Sequence, residues 1–454
     1  MVKIIILGAG ISGLSLGWYL KKKWGGDLDL TIVEKSNQAG GLIKTIQSQD
    51  FLFDLGPRSC RTSANGAFFL DLLEDLGLQD EVILPSPDAK NRYIYKNKKM
   101  EKLPSGFVSF LSSPLTCHSL KYVVRDFFGF SKSVDEDESA YAFMMRKYGS
   151  EITDNLFAAL ISGIYAGDIK KLSLKACFPL LHQAEKEYGS LIRGMLFKKN
   201  KKIESPLFYH LGKPSIISFK KGMQTLTDAL SNQLKEHILF EKQAARIEIL
   251  KESAKVHMED GSILEADVLV SSLAANHLEP LVESPKIKSL LSCFYSAPIA
   301  SVCLGFKKPV LKQKGFGYLI PPKEKEKILG VVFDSSIFKQ QNKEVDETRL
   351  TVMIGGAHFE NFDSYSAPCF LRLASEAISS HLGVKEKPAT FHVEIAKNAI
   401  AQYFTGHEAK LHDLLKALPS HFKIIGSSFS GVSVNDCIMN SYLAANVLAI
   451  AKKS

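Results

Sequence analysis

The sequence predicts a mixed α/β fold with a buried parallel sheet and a second, antiparallel sheet. Two apolar runs near the start, at residues 4–7 and 28–33, are separated by a helical stretch, as in parallel strands joined by a helix. Four β-rich runs follow one another later in the chain, which is typical of an antiparallel sheet. These runs are residues 300–306, 315–321, 328–334 and 349–355. Between the two regions, residues from about 108 to 202 show helical periodicity and predict a helical lobe.

Length and composition limit the classes of protein to consider. A chain of 454 residues is too long for one simple core, so two or three packed lobes are expected. Hydrophobic residues make up 45% of the chain, which is enough for globular burial. The net charge of +9 comes without a dense basic stripe. It therefore favours an anionic ligand or an anionic membrane surface over nucleic acid.

The cysteines and the start of the chain predict a cytoplasmic protein. Seven cysteines are scattered without a C-x-x-C pair, so reduced thiols are expected rather than disulfides or metal ligands. The N-terminus leads directly into the first strand, without a signal segment. No apolar run approaches the ~18 residues that span a bilayer. We expect a soluble protein or one peripheral on the cytoplasmic face of the membrane.

The first strand ends in a glycine turn that predicts dinucleotide binding. Gly8 permits a tight turn, Gly10 lets a pyrophosphate approach the backbone, and Gly13 lets the following helix pack closely on the strand. The amides and dipole at this helix N-terminus favour phosphate charge. Glu34 follows the second strand, where a carboxylate can accept hydrogen bonds from ribose hydroxyls.

Two further glycine segments favour FAD over NAD. The pair Gly40 and Gly41 allows another backbone segment to approach the cofactor, which a fold that binds only NAD does not need here. A Gly-Pro step at residues 56–57 is followed by Arg58 and Arg61. These two arginines suit either phosphate binding or pairing with surface carboxylates, and the sequence leaves both interpretations open.

The helical lobe contains a segment that suits a membrane surface. The apolar run 191–197 is followed by the lysine-rich run 198–202, and an aromatic run lies at 127–130. An apolar face flanked by lysines can lie among lipid headgroups, but such faces also pack on protein cores, and both interpretations stay open. Residues 162–168 in this lobe are punctuated by glycines and are predicted to form a loop.

The later part of the chain is predicted to return to the first sheet. Residues 266–272 form a continuous apolar strand. Near the C-terminus, a strand at 422–426, a small-residue loop at 427–433 and a helix at 434–451 repeat the order of the first residues. The predicted domains are a dinucleotide-binding domain (1–75, 215–280 and 395–454), a substrate-binding domain (76–105 and 281–394) and a helical, membrane-associated lobe (106–214).

Several motifs resemble those of one family. The most specific are LGPRS at 55–59, SGIYAGD at 162–168, GFGYLIP at 315–321, LGVVFDS at 329–335, VMIGG at 352–356 and GVSVNDCI at 431–438. Together they resemble the oxygen-dependent, FAD-dependent protoporphyrinogen oxidase family, within the superfamily of amine oxidases and phytoene desaturases. The likeness extends nearly from end to end and implies a Rossmann-like FAD-binding domain assembled from discontinuous segments.

The resemblance implies a set of cofactor-binding residues. These are Gly8, Ala9, Gly10, Ile11, Ser12, Gly13, Glu34, Lys35, Gly41, Leu42, Gly56, Pro57, Arg58, Ser59, Ala245, Val432, Ser433 and Val434. It also implies a flat slot for a macrocycle, in which Arg92 pairs with a substrate propionate. The walls of that slot would be Gly163, Phe316, Gly317, Leu319 and Met353.

The chemistry implied by the resemblance is the oxidation of protoporphyrinogen IX to protoporphyrin IX in haem biosynthesis. Flavin N5 would accept hydride, and molecular oxygen would reoxidise the flavin and yield hydrogen peroxide. Aromatisation makes this oxidation favourable, so orientation matters more than acid or base strength. This is consistent with a sequence that shows neither a convincing catalytic dyad nor a metal-binding pattern.

Other functions remain to be weighed against this one. A coproporphyrinogen III oxidase would keep the chemistry but bind four carboxylates, for which Arg92 alone is an obvious cation. An amine oxidase needs an aromatic cage beside the flavin, yet Glu408 stands where an aromatic residue is common. A non-catalytic, FAD-stabilised porphyrin carrier, and a homodimer, are also compatible with the sequence.

Overall fold

A computed structural model of the chain describes residues 1–25, 28–104, 120–128, 137–197 and 205–453. Three features considered above lie outside these residues: Cys117, Phe130 and the lysine-rich run 198–202.

The dinucleotide-binding region is built on a five-stranded parallel sheet. In spatial order its strands are Ile238–Leu239, Leu28–Val33, Val2–Leu7, Val268–Ser271 and Phe422–Ile424. The first strand is central, because Ile4 lies opposite Leu30 on one side and Val268 on the other. The predicted return of the chain to the first sheet is confirmed for both the middle strand and the C-terminal strand.

Both faces of this sheet are covered, which explains the continuous apolar run at residues 4–7 of its central strand. Ile4 and Ile6 pack into one core cluster, and Ile5 and Leu7 pack into another. The first face carries the helices Ile11–Trp24, Gly66–Asp75, Gln224–Gln233 and Val434–Lys453. The second face carries a small sheet and further helices: Ala244–Ile249, Ala254–Met258, Ile263–Ala266, Ala275–Leu278, Pro285–Leu291 and His407–Ala417.

The second region is a seven-stranded sheet. Its strands in order are Thr390–Ala401, Ser296–Phe306, Thr348–Gly355, Gly330–Val332, Gly317–Leu319, Arg92–Lys96 and Lys99–Lys102. The four predicted β-rich runs pair antiparallel, as expected. Arg92–Lys96 joins them in parallel with Gly317–Leu319. The predicted domain boundary at residue 395 falls inside the strand Thr390–Ala401. Residues 395–401 therefore pair with this sheet and not with the parallel one.

Short elements connect the two sheets. The short strands are Thr45–Ser48, Phe51–Asp54, Cys60–Arg61, Val82–Ile83 and Ile216–Phe219. The short helices are Gln79–Glu81, Pro87–Lys90, Lys235–His237, Glu279–Leu281, Pro322–Glu324, Asp334–Ile337, Lys339–Gln341 and Phe362–Ser364. A longer helix, Ala367–Leu382, packs on the seven-stranded sheet.

The described part of the third region is helical. Its helices are Leu120–Phe127, Ala140–Tyr148, Ser150–Ile152, a π-helical turn at Thr153–Phe157, Ala158–Tyr165, Leu174–Cys177, Pro179–Tyr188, Leu191–Phe197 and Pro206–His210. The prediction of a loop at 162–168 is wrong for its first half, because residues 162–165 form the last turn of Ala158–Tyr165. Ala166 then ends the helix in the left-handed conformation. Among the described residues, no helix is both long and apolar enough to traverse a bilayer.

A buried ion network joins the helices of this lobe. The Lys147 ammonium group lies 2.8 Å from Asp126 Oδ1 and 2.7 Å from Glu185 Oε1, and Lys147 and Asp126 are fully buried. Arg146 also pairs with Glu185, at 2.7 Å. The Ser190 hydroxyl donates to Asp126 Oδ2 at 2.9 Å. Each of these buried carboxylates therefore has a charged partner, as buried charges require.

Candidate FAD and substrate site

The glycine turn at residues 8–13 has the geometry of a phosphate-binding turn. Gly8 adopts φ +96°, which side chains disfavour. A Cβ atom on Gly13 would lie 2.0 Å from the Gly8 carbonyl oxygen, so the helix can approach the strand only with glycine there. A Cβ atom on Gly10 would touch no protein atom within 4 Å, and no side chain caps this helix. The first amides of the helix therefore face open space beside Gly10.

Glu34 holds this turn in place at the end of Leu28–Val33. The Ala9 N–H donates to Glu34 Oε2 and the Ser36 N–H donates to Glu34 Oε1, both at 2.9 Å. The carboxylate is buried and keeps further lone pairs for a ribose hydroxyl. Lys35 is exposed beside it. Ala245 is brought to the same edge, since the Lys242 N–H donates to the Glu34 carbonyl oxygen at 3.0 Å.

The second glycine pair packs directly on the first turn. The Gly40 N–H donates to the Ala9 carbonyl oxygen at 2.8 Å. A Cβ atom on Gly41 would lie 3.3 Å from the Gly10 Cα. Gly56 in turn packs on Leu42, where a Cβ atom would lie 2.0 Å from the Leu42 carbonyl oxygen. The Leu42 side chain is 53% exposed beside this turn.

The C-terminal segment closes over the glycine turn. The Ser441 hydroxyl donates to the Ser12 carbonyl oxygen at 2.9 Å, and the two long helices pack along each other. Ser433 caps the C-terminal helix, because its Oγ accepts from the Asp436 N–H at 3.1 Å. Val432 packs in one apolar cluster with Tyr165. The first and last segments of the chain therefore meet, as the sequence predicts.

Arg58 has a different setting from the glycine turn. Its Nε lies 3.0 Å from Asp334 Oδ1, and both side chains are largely buried. Burial raises the pKa of the nearby Asp54 to about 6, although its bonds from Thr45 and Met223 and the charge of Arg58 oppose the rise. Within the described residues, Arg58 Nη2 is buried without a hydrogen-bond partner. The guanidinium group of Arg58 therefore forms its ion pair with a carboxylate of the protein.

Residues predicted to hold a macrocycle are brought together at one edge of the seven-stranded sheet. Arg92 lies opposite Gly317, and its guanidinium group lies 5.0 Å from the centre of the Phe316 ring. Gly317 adopts φ +134°, and a Cβ atom there would lie 2.1 Å from the Val331 carbonyl oxygen. These contacts confirm that the strand after Phe316 runs alongside the strand that begins with Arg92.

The helical lobe meets this edge at Gly163. A Cβ atom on Gly163 would lie 2.5 Å from Leu319 Cδ2, so the helix Ala158–Tyr165 can rest on that leucine. Met353 lies on the neighbouring strand, where it is opposite Gly330. All six residues predicted for the slot therefore lie on adjoining elements. Val432 packs against the apolar cluster that contains Tyr165, two residues after Gly163.

The aromatic residues beside Val432 differ from the sequence-based expectation. Tyr165 and Tyr403 are buried, with ring centres 6.4 Å apart. Tyr403 also stacks on His407, with ring centres 4.2 Å apart. Glu408 is exposed and forms an ion pair with Lys175. Position 408 is thus part of the surface, and the aromatic side chains in this region come from other positions.

Comparison with known proteins decides the family. A family model of flavin-containing amine oxidoreductases matches residues 11–449. The protoporphyrinogen oxidase of Bos taurus is 32% identical over 471 residues, which covers 97% of each chain. The chain belongs to the protoporphyrinogen oxidase family.

Two further similarities bear on function and fold. The coproporphyrinogen III oxidase of Bacillus subtilis (strain 168) is 29% identical over 457 residues, covering 96% of this chain and 95% of that protein. The crystal structure of a protein from Exiguobacterium sp. 255-15 matches with a TM-score of 0.84 and 19% identity, covering 99% of each chain. The latter supports the fold alone.

Membership of the protoporphyrinogen oxidase family makes the chain an FAD-dependent oxidoreductase, and its residues fit that cofactor. The open space beside Gly10 and the uncapped helix suit a pyrophosphate. The free lone pairs of Glu34 suit a ribose. The C-terminal segment contacts the glycine turn through Ser441 and the cluster that contains Tyr165 through Val432, which suits an extended cofactor lying along it.

Arg61 is one cation whose role the sequence leaves open between phosphate binding and pairing with surface carboxylates. Among the described residues, no carboxylate forms an ion pair with it. Its strand, Cys60–Arg61, pairs with Ile216–Phe219 beside the slot. A short strand of two residues gives no periodic signal, so sequence periodicity could not have located Arg61.

Proposed function

We propose that this protein oxidises protoporphyrinogen IX to protoporphyrin IX with oxygen as the electron acceptor. The observation that carries the proposal is the position of the C-terminal segment. Its helix is tied to the dinucleotide turn through Ser441 and Ser12, and the loop before that helix packs, through Val432, against the apolar cluster that contains Tyr165. This arrangement supports a porphyrinogen site beside the redox cofactor.

The residues of the chain would act by orientation. Arg92 offers a cation over the Phe316 ring for a substrate carboxylate, and the apolar side chains Leu319 and Met353 offer walls for a flat ring. Bound FAD would supply the capacity to accept hydride from a bridging carbon of the macrocycle. Six electrons and six protons leave the ring in all, and three molecules of oxygen take them up as three of hydrogen peroxide. Of the six hydrogens lost, four come from the four bridging carbons and two from pyrrole nitrogens, because the product porphyrin keeps two N–H groups; those that do not leave as hydride leave as protons through water.

The choice between two porphyrinogens is settled by product analysis. The Bacillus subtilis relative is named for coproporphyrinogen III, which carries four carboxylates, so both rings should be supplied separately to the FAD-loaded protein. We expect faster oxygen consumption with the ring of two carboxylates and a product with the mass of protoporphyrin. A higher kcat/KM for the ring of four would establish coproporphyrinogen oxidation instead.

Arg92→Ala should weaken substrate binding. Removing the guanidinium leaves a partly buried substrate carboxylate without its partner, a loss of about 2–4 kcal/mol. The expected result is a raised KM with little change in kcat, measured by the fluorescence of the product porphyrin. Arg372→Ala, which removes an exposed arginine from Ala367–Leu382, is the matched control and should retain the wild-type KM. An unchanged KM in Arg92→Ala would remove Arg92 from the site.

We also propose that the helical lobe rests on a membrane surface. Leu196 and Phe197 end the helix Leu191–Phe197 and are 65% and 61% exposed. Val124, Phe127 and Phe128 are also exposed in the adjacent helix and the turn after it. Exposed apolar side chains of this kind can enter the headgroup region of a bilayer.

Removing that apolar surface should reduce vesicle binding. Leu196→Ser together with Phe197→Ser should lower co-sedimentation with anionic vesicles by several-fold, because apolar area buried in lipid is lost. Val345→Ser, at a position 95% exposed, controls for loss of an apolar side chain elsewhere. Equal co-sedimentation of the three proteins would contradict membrane contact through this surface.

A homodimer stays a prediction, which analytical ultracentrifugation of the purified protein tests.

A further inference from the structure

The short strand that carries Arg61 lies near the strand that begins with Arg92. In the strand pairing, Arg61 is opposite Ile216, and Ile216 packs in one apolar cluster with Phe316. The Arg92 guanidinium lies over that same phenylalanine. The Asn435 amide donates to the Arg61 carbonyl oxygen at 2.7 Å, which fixes the backbone of Arg61 against the C-terminal helix. Arg92 thus contacts the Phe316 ring directly, and the strand that carries Arg61 pairs with a residue of the cluster on which Phe316 packs.

The electrostatics agree with this placement. Burial lowers the pKa of Arg92, and the positive charge of Arg61 lowers it further. Burial also raises the pKa of Tyr165, whereas the charge of Arg61 acts in the opposite direction. Arg61 is therefore within electrostatic reach of two residues that belong to the slot or adjoin it.

Two neighbouring guanidinium groups favour the binding of an anion beside them. The more buried arginines of the described chain have carboxylate partners: Arg58 pairs with Asp334, Arg146 with Glu185, and Arg349 with Glu347. No described carboxylate forms an ion pair with Arg61 or Arg92. Repulsion between these two cations is relieved when negative charge binds beside them, and guanidinium groups suit carboxylates particularly well.

We propose that Arg61 is a second substrate-binding residue and that Arg61 and Arg92 together bind an edge of the macrocycle that carries two adjacent carboxylates. This inference rests on the proposed function and adds a specificity rule to it. A ring with both acidic side chains on one edge satisfies both cations. A ring whose carboxylates are esterified satisfies neither, and it should be bound by the apolar walls alone.

The test compares Arg61 variants on an acidic and an esterified substrate. The FAD-loaded wild type, Arg61→Ala, Arg61→Lys and the control Arg372→Ala are each supplied with protoporphyrinogen IX and with its dimethyl ester, in the same detergent. With the acid, Arg61→Ala should raise KM about tenfold and leave kcat within about twofold, whereas Arg61→Lys should recover part of the loss. With the ester, all four proteins should have similar KM values. FAD content should be the same in all four.

Each outcome decides something different. Equal KM values for the acid in wild type and Arg61→Ala would overturn the role of Arg61 while leaving the proposed function intact. Loss of FAD from Arg61→Ala would also overturn it, by making Arg61 a cofactor residue. If the wild type oxidised neither ring, the proposed function would fail. Fluorescence titration with the oxidised acid and ester would then test the two-arginine site directly, and equal affinities of wild type and Arg61→Ala for the acid would refute it.

Discussion

Gly10→Val is expected to abolish FAD binding while leaving the protein folded. Gly10 has an extended backbone conformation, with φ −74° and ψ 177°, that valine adopts readily. Its new Cβ atom would touch no protein atom within 4 Å. The side chain would instead fill the space in front of the uncapped helix, where the phosphates are expected. We expect FAD affinity to fall by about 100-fold or more, equivalent to at least about 2.7 kcal/mol.

Two measurements separate cofactor loss from misfolding. Absorbance of the purified protein reports FAD content, and the melting temperature of the cofactor-free protein reports folding. The latter should match that of cofactor-free wild type. Gly261→Ala, in the exposed hairpin turn, is the control and should keep FAD at a cost of about 1 kcal/mol for its positive φ. A yellow Gly10→Val protein with normal FAD content would show that the phosphates bind elsewhere.

Lys147→Met is expected to destabilise the helical lobe by about 3–5 kcal/mol, the usual cost of breaking a buried ion pair. Lys147 and Asp126 are fully buried and 2.8 Å apart. Without the lysine, Asp126 keeps only uncharged donors, such as the Ser190 hydroxyl, among the described contacts. Glu185 keeps Arg146. The uncompensated charge is therefore that of Asp126.

Urea unfolding monitored by circular dichroism measures this loss. The double variant Lys147→Met with Asp126→Leu should recover much of the stability, because it removes the stranded carboxylate as well. Lys175→Met, at an exposed ion pair with Glu408, is the control and should change stability by no more than about 1 kcal/mol. A Lys147→Met midpoint equal to that of wild type would contradict a structural role for the network. Because this lobe carries Gly163, its loosening should also raise KM.

Local sequence patterns predicted the two sheets well because their physical basis is local. The apolar strand at Val2–Leu7 and its glycine turn carry conformational requirements that few other residues satisfy. The return of Val268–Ser271 to the same sheet followed from its apolar run, and that of Phe422–Ile424 from the recurring order of strand, small-residue loop and helix. The helical end at residues 162–165 was missed because Gly163 signals a turn locally, whereas here it allows close packing on Leu319.

Long-range polar contacts could not be read from the sequence. The pairing of Arg58 with Asp334, 276 positions later, depends on how the strand-connecting segments cross. The proximity of Arg61 to Arg92 depends equally on the pairing of a two-residue strand. Such contacts join residues from different layers of the fold. The predicted cofactor-binding residues were thus easier to find than the cations proposed to bind the substrate.

If the two ends of the chain hold FAD against a porphyrinogen slot, a bound porphyrinogen should reduce the flavin in the absence of oxygen. Protoporphyrinogen IX is added without oxygen to the FAD-loaded protein, and the flavin absorbance near 450 nm is followed. We predict rapid loss of that absorbance, its return when air is admitted, and formation of porphyrin. A flavin band that stays unchanged while the porphyrinogen binds would contradict hydride transfer to FAD and would make the protein a porphyrin carrier.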